Sequence, residues 1–113
     1  MVSRDDDKLP LTDAELHILL VLSNGDSHGY GMMKSINNLG DNFFTIGPAT
    51  LYRTIQRLCE KTLIIEIDDR PDVEFDDERR RYYRLTEKGQ RVLSAEARRL
   101  AQLVKLVEDW EIP

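Results

Sequence analysis

The chain has 113 residues, 41% of them hydrophobic and 33% charged, which is enough for one domain around one core and too apolar for a disordered chain. Its formal net charge of -5 argues against non-specific nucleic-acid binding by the molecule as a whole. A single cysteine, Cys59, excludes an intramolecular disulfide, and no apolar run approaches the roughly 18 residues that would span a bilayer. The polar, acidic start MVSRDDDKLP does not resemble a secretory signal, so a soluble chain of the cytoplasm is expected, with no membrane partner.

Residues 1–10 read as a flexible tail. Thr12-Asp13-Ala14-Glu15 has the form of a capping box, with Thr12 as N-cap and Glu15 reaching back. The helix it opens, to about Ser23, carries Leu16, Ile18, Leu19, Leu20, Val21 and Leu22 and is apolar almost all round. Such a helix is buried on several sides, which suggests its own core plus a second subunit, with Leu16 and Leu19 facing that subunit. His17 within it reads as structural or surface rather than as a ligand. Asn24-Gly25-Asp26 is a turn, after which Ser27 is expected to cap a second helix to about Leu39, its inward face Tyr30, Met33 and Ile36. Gly29 and Gly31 are costly so early in a helix and imply close packing. Ser27 and His28, at the free amides of that first turn, are equally readable as a plain cap or as phosphate contacts.

A connection with Phe43, Phe44 and Ile46 as anchors leads to the stretch GPATLYRTIQRLCEKTLII, residues 47–65. Gly47 suits the N-cap and Pro48 the first helical position, where a missing N–H costs nothing. Leu51, Ile55 and Leu58 make one apolar stripe. The other face carries Thr50, Tyr52, Arg53, Gln56 and Arg57, groups able to meet phosphates and base edges. Cys59 beside Leu58 reads as a buried, inert thiol. Residues 63–68 (LIIEID) and 79–85 (RRRYYRL) read as two strands of a hairpin, Tyr82 and Tyr83 on opposite faces. Between them residues 68–78 hold seven acids against one arginine, whereas residues 79–91 hold five arginines and one lysine against one acid. The acidic run lacks the glycine and spacing of a calcium loop, so no metal site is expected, and no cofactor. Thr86 caps a last helix to about Trp110, along which Leu93, Ala97, Leu100, Val104 and Val107 form a short heptad seam that Leu103, Leu106 and Trp110 widen.

Three helices, a hairpin and a long helix spell a mainly α fold with a small β-hairpin: a winged helix-turn-helix over residues 11–85 and a dimerisation helix over residues 86–113. In such folds the third helix enters a major groove and the wing touches backbone. His28-Gly29-Tyr30, Gly47-Pro48-Ala49-Thr50-Leu51-Tyr52-Arg53 with Arg57-Leu58, and Arg81-Tyr82-Tyr83-Arg84-Leu85-Thr86-Glu87-Lys88-Gly89 resemble the PadR family of bacterial transcriptional regulators, in order and spacing, from about Leu11 to Leu93. The resemblance implies a homodimer with crossing C-terminal helices, a repressor on palindromic operators, and DNA contacts from Thr50, Leu51, Tyr52, Arg53, Tyr30, Arg81 and Tyr83. To these the basic second strand adds Arg80, of which alternation lets only one of the pair with Arg81 face the DNA. Family members usually carry Gly where this chain has Thr62, so a differently built turn is expected there. The acidic wing and the end at Pro113 also depart from larger relatives. The expected partners are double-stranded DNA and a second copy of the chain. A protein–protein contact module and a regulator with a small-molecule effector at the dimer interface, near Trp110, are the competing readings; an enzyme is not expected, since no nucleophile motif or phosphate loop is present.

Overall fold

The computed structural model describes residues 9–40, 44–67 and 81–110. Its elements run α1 (Asp13–Leu22), β1 (Ser27–His28), α2 (Gly29–Asn37), α3 (Pro48–Glu60), β2 (Ile64–Ile67), β3 (Tyr82–Leu85) and α4 (Glu87–Asp109). Both ends of the capping box form: the Glu15 amide donates to Thr12 Oγ1 at 3.1 Å and the Thr12 amide to Glu15 Oε1 at 3.0 Å. Thr86 caps α4 as expected, its hydroxyl accepting from the Gly89 amide at 2.9 Å. The start of α2 differs from expectation. Ser27 lies in β1, and the cap is His28, whose Nδ1 accepts from the Gly31 amide at 3.0 Å.

The expected hairpin is a three-stranded antiparallel sheet of order β1-β3-β2. Ser27 pairs with Tyr83 and His28 with Tyr82, and on the other side Ile64, Ile65, Glu66 and Ile67 meet Leu85, Arg84, Tyr83 and Tyr82. A two-residue strand has no sequence signature of its own; it exists because β3 offers it a free edge.

Ile18, Leu19, Leu22, Met32, Ile36, Leu51, Ile55, Leu58, Leu63 and Ile64 close one core between the first three helices and the sheet. Two expectations change here. The inward face of α2 is Gly29, Met32 and Ile36, while Tyr30 is 60% exposed. Leu19 is wholly enclosed by its own chain, so it has no surface to give a second subunit; Leu16 is half-buried and Leu20 exposed. Ile46 and Phe44 anchor the connection to α3 as expected, the former buried and the latter stacked on His17 at 4.5 Å. The Asn37 side chain holds it too, giving 3.1 Å to the Ile46 carbonyl and accepting 2.8 Å from the Ile46 amide. Phe43 lies outside the described residues, as do the acidic segment and Arg80.

The turn after α3 overturns the expectation of a different build. Thr62 sits at φ 59, the left-handed conformation that glycine favours. The Thr62 amide bonds to the Cys59 carbonyl at 3.0 Å and the Leu63 amide to the Leu58 carbonyl at 3.0 Å, the paired bonds of a Schellman motif with Leu58 against Leu63 as its apolar contact. The corner into α4 braces it. Thr86 Oγ1 donates to the Thr62 carbonyl at 2.7 Å, and Lys88 Nζ donates to the Lys61 carbonyl at 2.9 Å and to Thr62 Oγ1 at 3.2 Å. Gly89 is required there, because a Cβ would overlap the Leu63 carbonyl oxygen.

Candidate nucleic-acid interface

The helix α3 begins on Gly47, extended at φ -99 and ψ 173, with Pro48 in the first turn and no side-chain cap. Its first amides therefore point outward with the positive end of the helix dipole, a setting that favours phosphate. Leu51, Thr54, Ile55 and Leu58 turn into the core. Ala49, Thr50, Tyr52, Arg53 and Gln56 are exposed along the opposite side. Arg53 has no ion-pair partner among the described residues, so its guanidinium is available for a bidentate acceptor.

The helix α2 completes this face. His28 caps it, Tyr30 projects into solvent, and Gly29 makes room for the Tyr52 ring: a Cβ at position 29 would lie 2.6 Å from Tyr52 Oη. The His-Gly-Tyr motif is thus a seat for α3 against α2. The His28 ring also meets Tyr82 edge-on at 5.2 Å, tying the same corner to the sheet.

The expected site residues separate on folding. Tyr30, Thr50, Tyr52, Arg53 and Gln56 are exposed, and so is Arg81 at the start of the described part of the wing. Tyr83 is not: it is 7% exposed and packs in the core, so it is corrected from a contact to a support. Burial raises its phenol above the ordinary value, with Glu66 adding to the effect, which keeps it neutral. Leu51 is likewise wholly buried. Arg57 lies at the edge of the face with its Nε 3.4 Å from Glu15 Oε2, and Lys61 Nζ takes the same oxygen at 3.0 Å. Arg57 therefore serves to tie α3 to α1. Ser27 and His28 are half-buried in β1, and the His28 lone pair is already used by Gly31.

Two pairs escaped the sequence reading. Arg84 grips Asp26 through Nε and Nη2, at 3.1 and 2.8 Å, holding the turn before β1 onto β3 and keeping the Asp26 carboxyl below its ordinary range. Arg81 Nη1 lies 3.7 Å from Glu66 Oε1, both well solvated, a weak pair that phosphate can replace. Neither acid is near its partner in sequence, so no local signal marks them. Burial, together with Glu66 and Glu60, raises the Cys59 thiol, in keeping with an inert cysteine. Among the described residues no cluster of His, Cys, Asp and Glu is placed to hold a metal, and no helix is long and apolar enough to cross a membrane.

Comparison with known proteins adds to this geometry. A transcriptional regulator from Clostridium thermocellum superposes with a TM-score of 0.71 at 26% identity, over 87% of this chain and 92% of that one. A PadR family transcription regulator from Clostridium difficile shares the fold with a TM-score of 0.73 at 22% identity, over 88% and 98%. Bacillus subtilis PadR, in a structure with operator DNA, shares it with a TM-score of 0.63 at 19% identity, over 75% and 46%. In sequence, a protein from Lysinibacillus sphaericus is 36% identical over 91 residues, 80% of this chain and 81% of its own length. The Escherichia coli transcriptional regulator YqjI is 42% identical over 52 residues, 46% of this chain. That match spans only a quarter of the YqjI length. The sequence model of the PadR-like transcriptional regulator family matches residues 18–95, the stretch that holds α2, α3, the sheet and the start of α4. The chain belongs to the PadR-like family of transcriptional regulators.

Proposed function

We propose that this regulator is a homodimeric repressor that reads an inverted-repeat operator, one α3 in each of two major grooves about one helical turn apart. The observation that carries the reading is the outward face of α3, where Thr50, Tyr52, Arg53 and Gln56 stand exposed. Arg53 matches a guanine edge and Gln56 an adenine edge. Of the pair Arg80 and Arg81, Arg81 supplies the phosphate contact from the wing. The second subunit is called for by α4. Leu103, Val104, Leu106, Val107 and Trp110 are 46–71% exposed, which is a large apolar strip for one chain to leave in water. With Leu93, Ala97 and Leu100 it forms the dimer seam, to which Leu16 and Leu20 of α1 add. An effector in that interface would sit near Trp110.

Selection of genomic fragments followed by fluorescence anisotropy at several salt concentrations tests this. Arg53→Ala or Gln56→Ala should lose about 1–3 kcal/mol on the selected operator and little on random DNA. Arg81→Ala should weaken both alike and flatten the salt slope by about one. If no fragment binds above random DNA at physiological salt, the repressor reading fails and a protein-contact module takes its place.

A further inference from the structure

Among the described residues two carboxylates are buried, and neither belongs to the face of α3 proposed to meet DNA. Glu15 is 3% exposed and Glu96 1%. They are joined by two successive backbone amides at the start of α1. The Thr12 amide donates to Glu15, whose other oxygen takes Lys61 and Arg57 of α3. The Leu11 amide donates to Glu96 Oε2 at 2.9 Å, across 85 positions of sequence, and Arg99 holds the same carboxylate through Nε at 2.6 Å and Nη2 at 3.1 Å. One short segment is thus bonded on one side to the recognition helix and on the other to α4.

The place of Glu96 along α4 gives this bond its leverage. The buried residues of α4 are Gly89, Val92 and Glu96, in that order, and from Ala101 onward every described residue is exposed. Gly89 and Val92 fix one point of the helix and Glu96 fixes a second, and two points set a direction. From Glu96 the helix runs on to Asp109, roughly 20 Å at 1.5 Å per residue. A change of about 10° in its direction would move that end by ~3.5 Å, as much as the ~3.4 Å rise of one base pair.

We propose that Glu96 is a positioning residue for DNA reading: its bond to the Leu11 amide fixes the angle between α4 and the winged helix, and thereby the separation of the two α3 helices in the dimer. This rests on the dimeric operator-binding reading above, but the hold on α4 can be measured without DNA. With Cys59→Ser as background, spin labels at Glu60→Cys and Gln102→Cys, both exposed positions, report the distance from α3 to α4. Diluting labelled chains with unlabelled ones keeps the distance within one protomer. The native chain should give a narrow distribution. Glu96→Ala removes the acceptor and should broaden or shift it. Glu96→Leu removes the carboxylate but keeps an apolar side chain of similar size, with the partly exposed Arg99 able to turn to water, and should do the same. Glu96→Gln keeps an oxygen for the Leu11 amide and should stay narrow.

On DNA the Leu variant should bind the operator about tenfold more weakly. It should bind an isolated half-site as well as the native chain does, and lose the preference between native spacing and one base pair more or less. An unchanged distance in the Leu variant overturns the proposal. So does an equal loss on half-site and operator, which would make Glu96 a general support of the fold. If the native chain binds no DNA selectively, the operator reading has failed, and the distance measurement alone decides whether Glu96 sets the direction of α4.

Discussion

The segment from α1 to β3 and the distal half of α4 are both rich in apolar residues, yet they end in opposite states. Among the described residues, every buried apolar side chain except Val92 precedes α4. Positions 101–110 are all exposed, although Leu103, Val104, Leu106, Val107 and Trp110 lie there. The first segment has three helices and a sheet to fold against one another, so its apolar stripes find cover within the chain. The distal α4 runs past the last element that could cover it. An amphipathic pattern says that a face is to be buried and leaves open which chain buries it.

The strongest way to break the contrast is to charge the exposed strip. Leu100→Glu with Val104→Glu should break the proposed dimer, because each unpaired carboxylate placed in an apolar interface costs several kcal/mol. Sedimentation should then show monomers, and a normal dimer would place the interface elsewhere. Truncation sharpens the same contrast. Leu51→Ala, at a wholly buried position, should lower stability by about 2–5 kcal/mol in urea unfolding. Leu106→Ala should leave the winged helix itself as stable and weaken only the concentration-dependent part of the transition.

The two buried carboxylates, Glu15 in the self-covered segment and Glu96 in the covered first half of α4, add a pH dependence to the fold. Burial pushes Glu15 up, but the Thr12 amide, Lys61 and Arg57 together outweigh it and hold it below the ordinary 4.5. The Glu96 carboxylate is covered but shallow, and Arg99 foremost holds it below 4.5, against burial and with help from the Leu11 amide. A lowered folded-state value means that the unfolded chain binds protons first as the solution is acidified. The stabilisation is complete above about pH 4.5 and is lost as pH falls through the folded-state values. Urea midpoints should therefore drop below that pH, and Glu15→Gln or Glu96→Gln should flatten the drop while lowering stability at neutral pH.

The smallest effect is expected at Thr62. Its left-handed backbone is strained for a β-branched residue, and glycine would relieve the strain while giving up the Lys88 contact and some unfolded-state restriction. Thr62→Gly should gain up to about 1 kcal/mol in thermal or urea unfolding. A loss instead would show that the braced hydroxyl outweighs the strain.

The sequence by itself determined what local chemistry can determine. The capping box at Thr12 and Glu15, the Gly47-Pro48 start of α3, the Thr86 cap and the unbroken periodicity of α4 each act within a turn or two of helix, and each appears where the residues place it. So do the order of the four helices and the β2–β3 pair, and the outward set Thr50, Tyr52, Arg53 and Gln56. The tertiary structure decided the rest. Alternation puts Tyr82 and Tyr83 on opposite faces, and only the packed core shows that Tyr83 is the buried one. Helical spacing puts Arg53 and Arg57 on one polar side, and only the approach of α1 gives Glu15 to Arg57 and leaves Arg53 to solvent. Ser27 and His28 become a strand because β3 lies beside them, and Thr62 turns left-handed because Thr86, Lys88 and Gly89 close over it. In each case the deciding partner lies more than twenty residues away, where spacing carries no information and the contact exists only once the chain has folded.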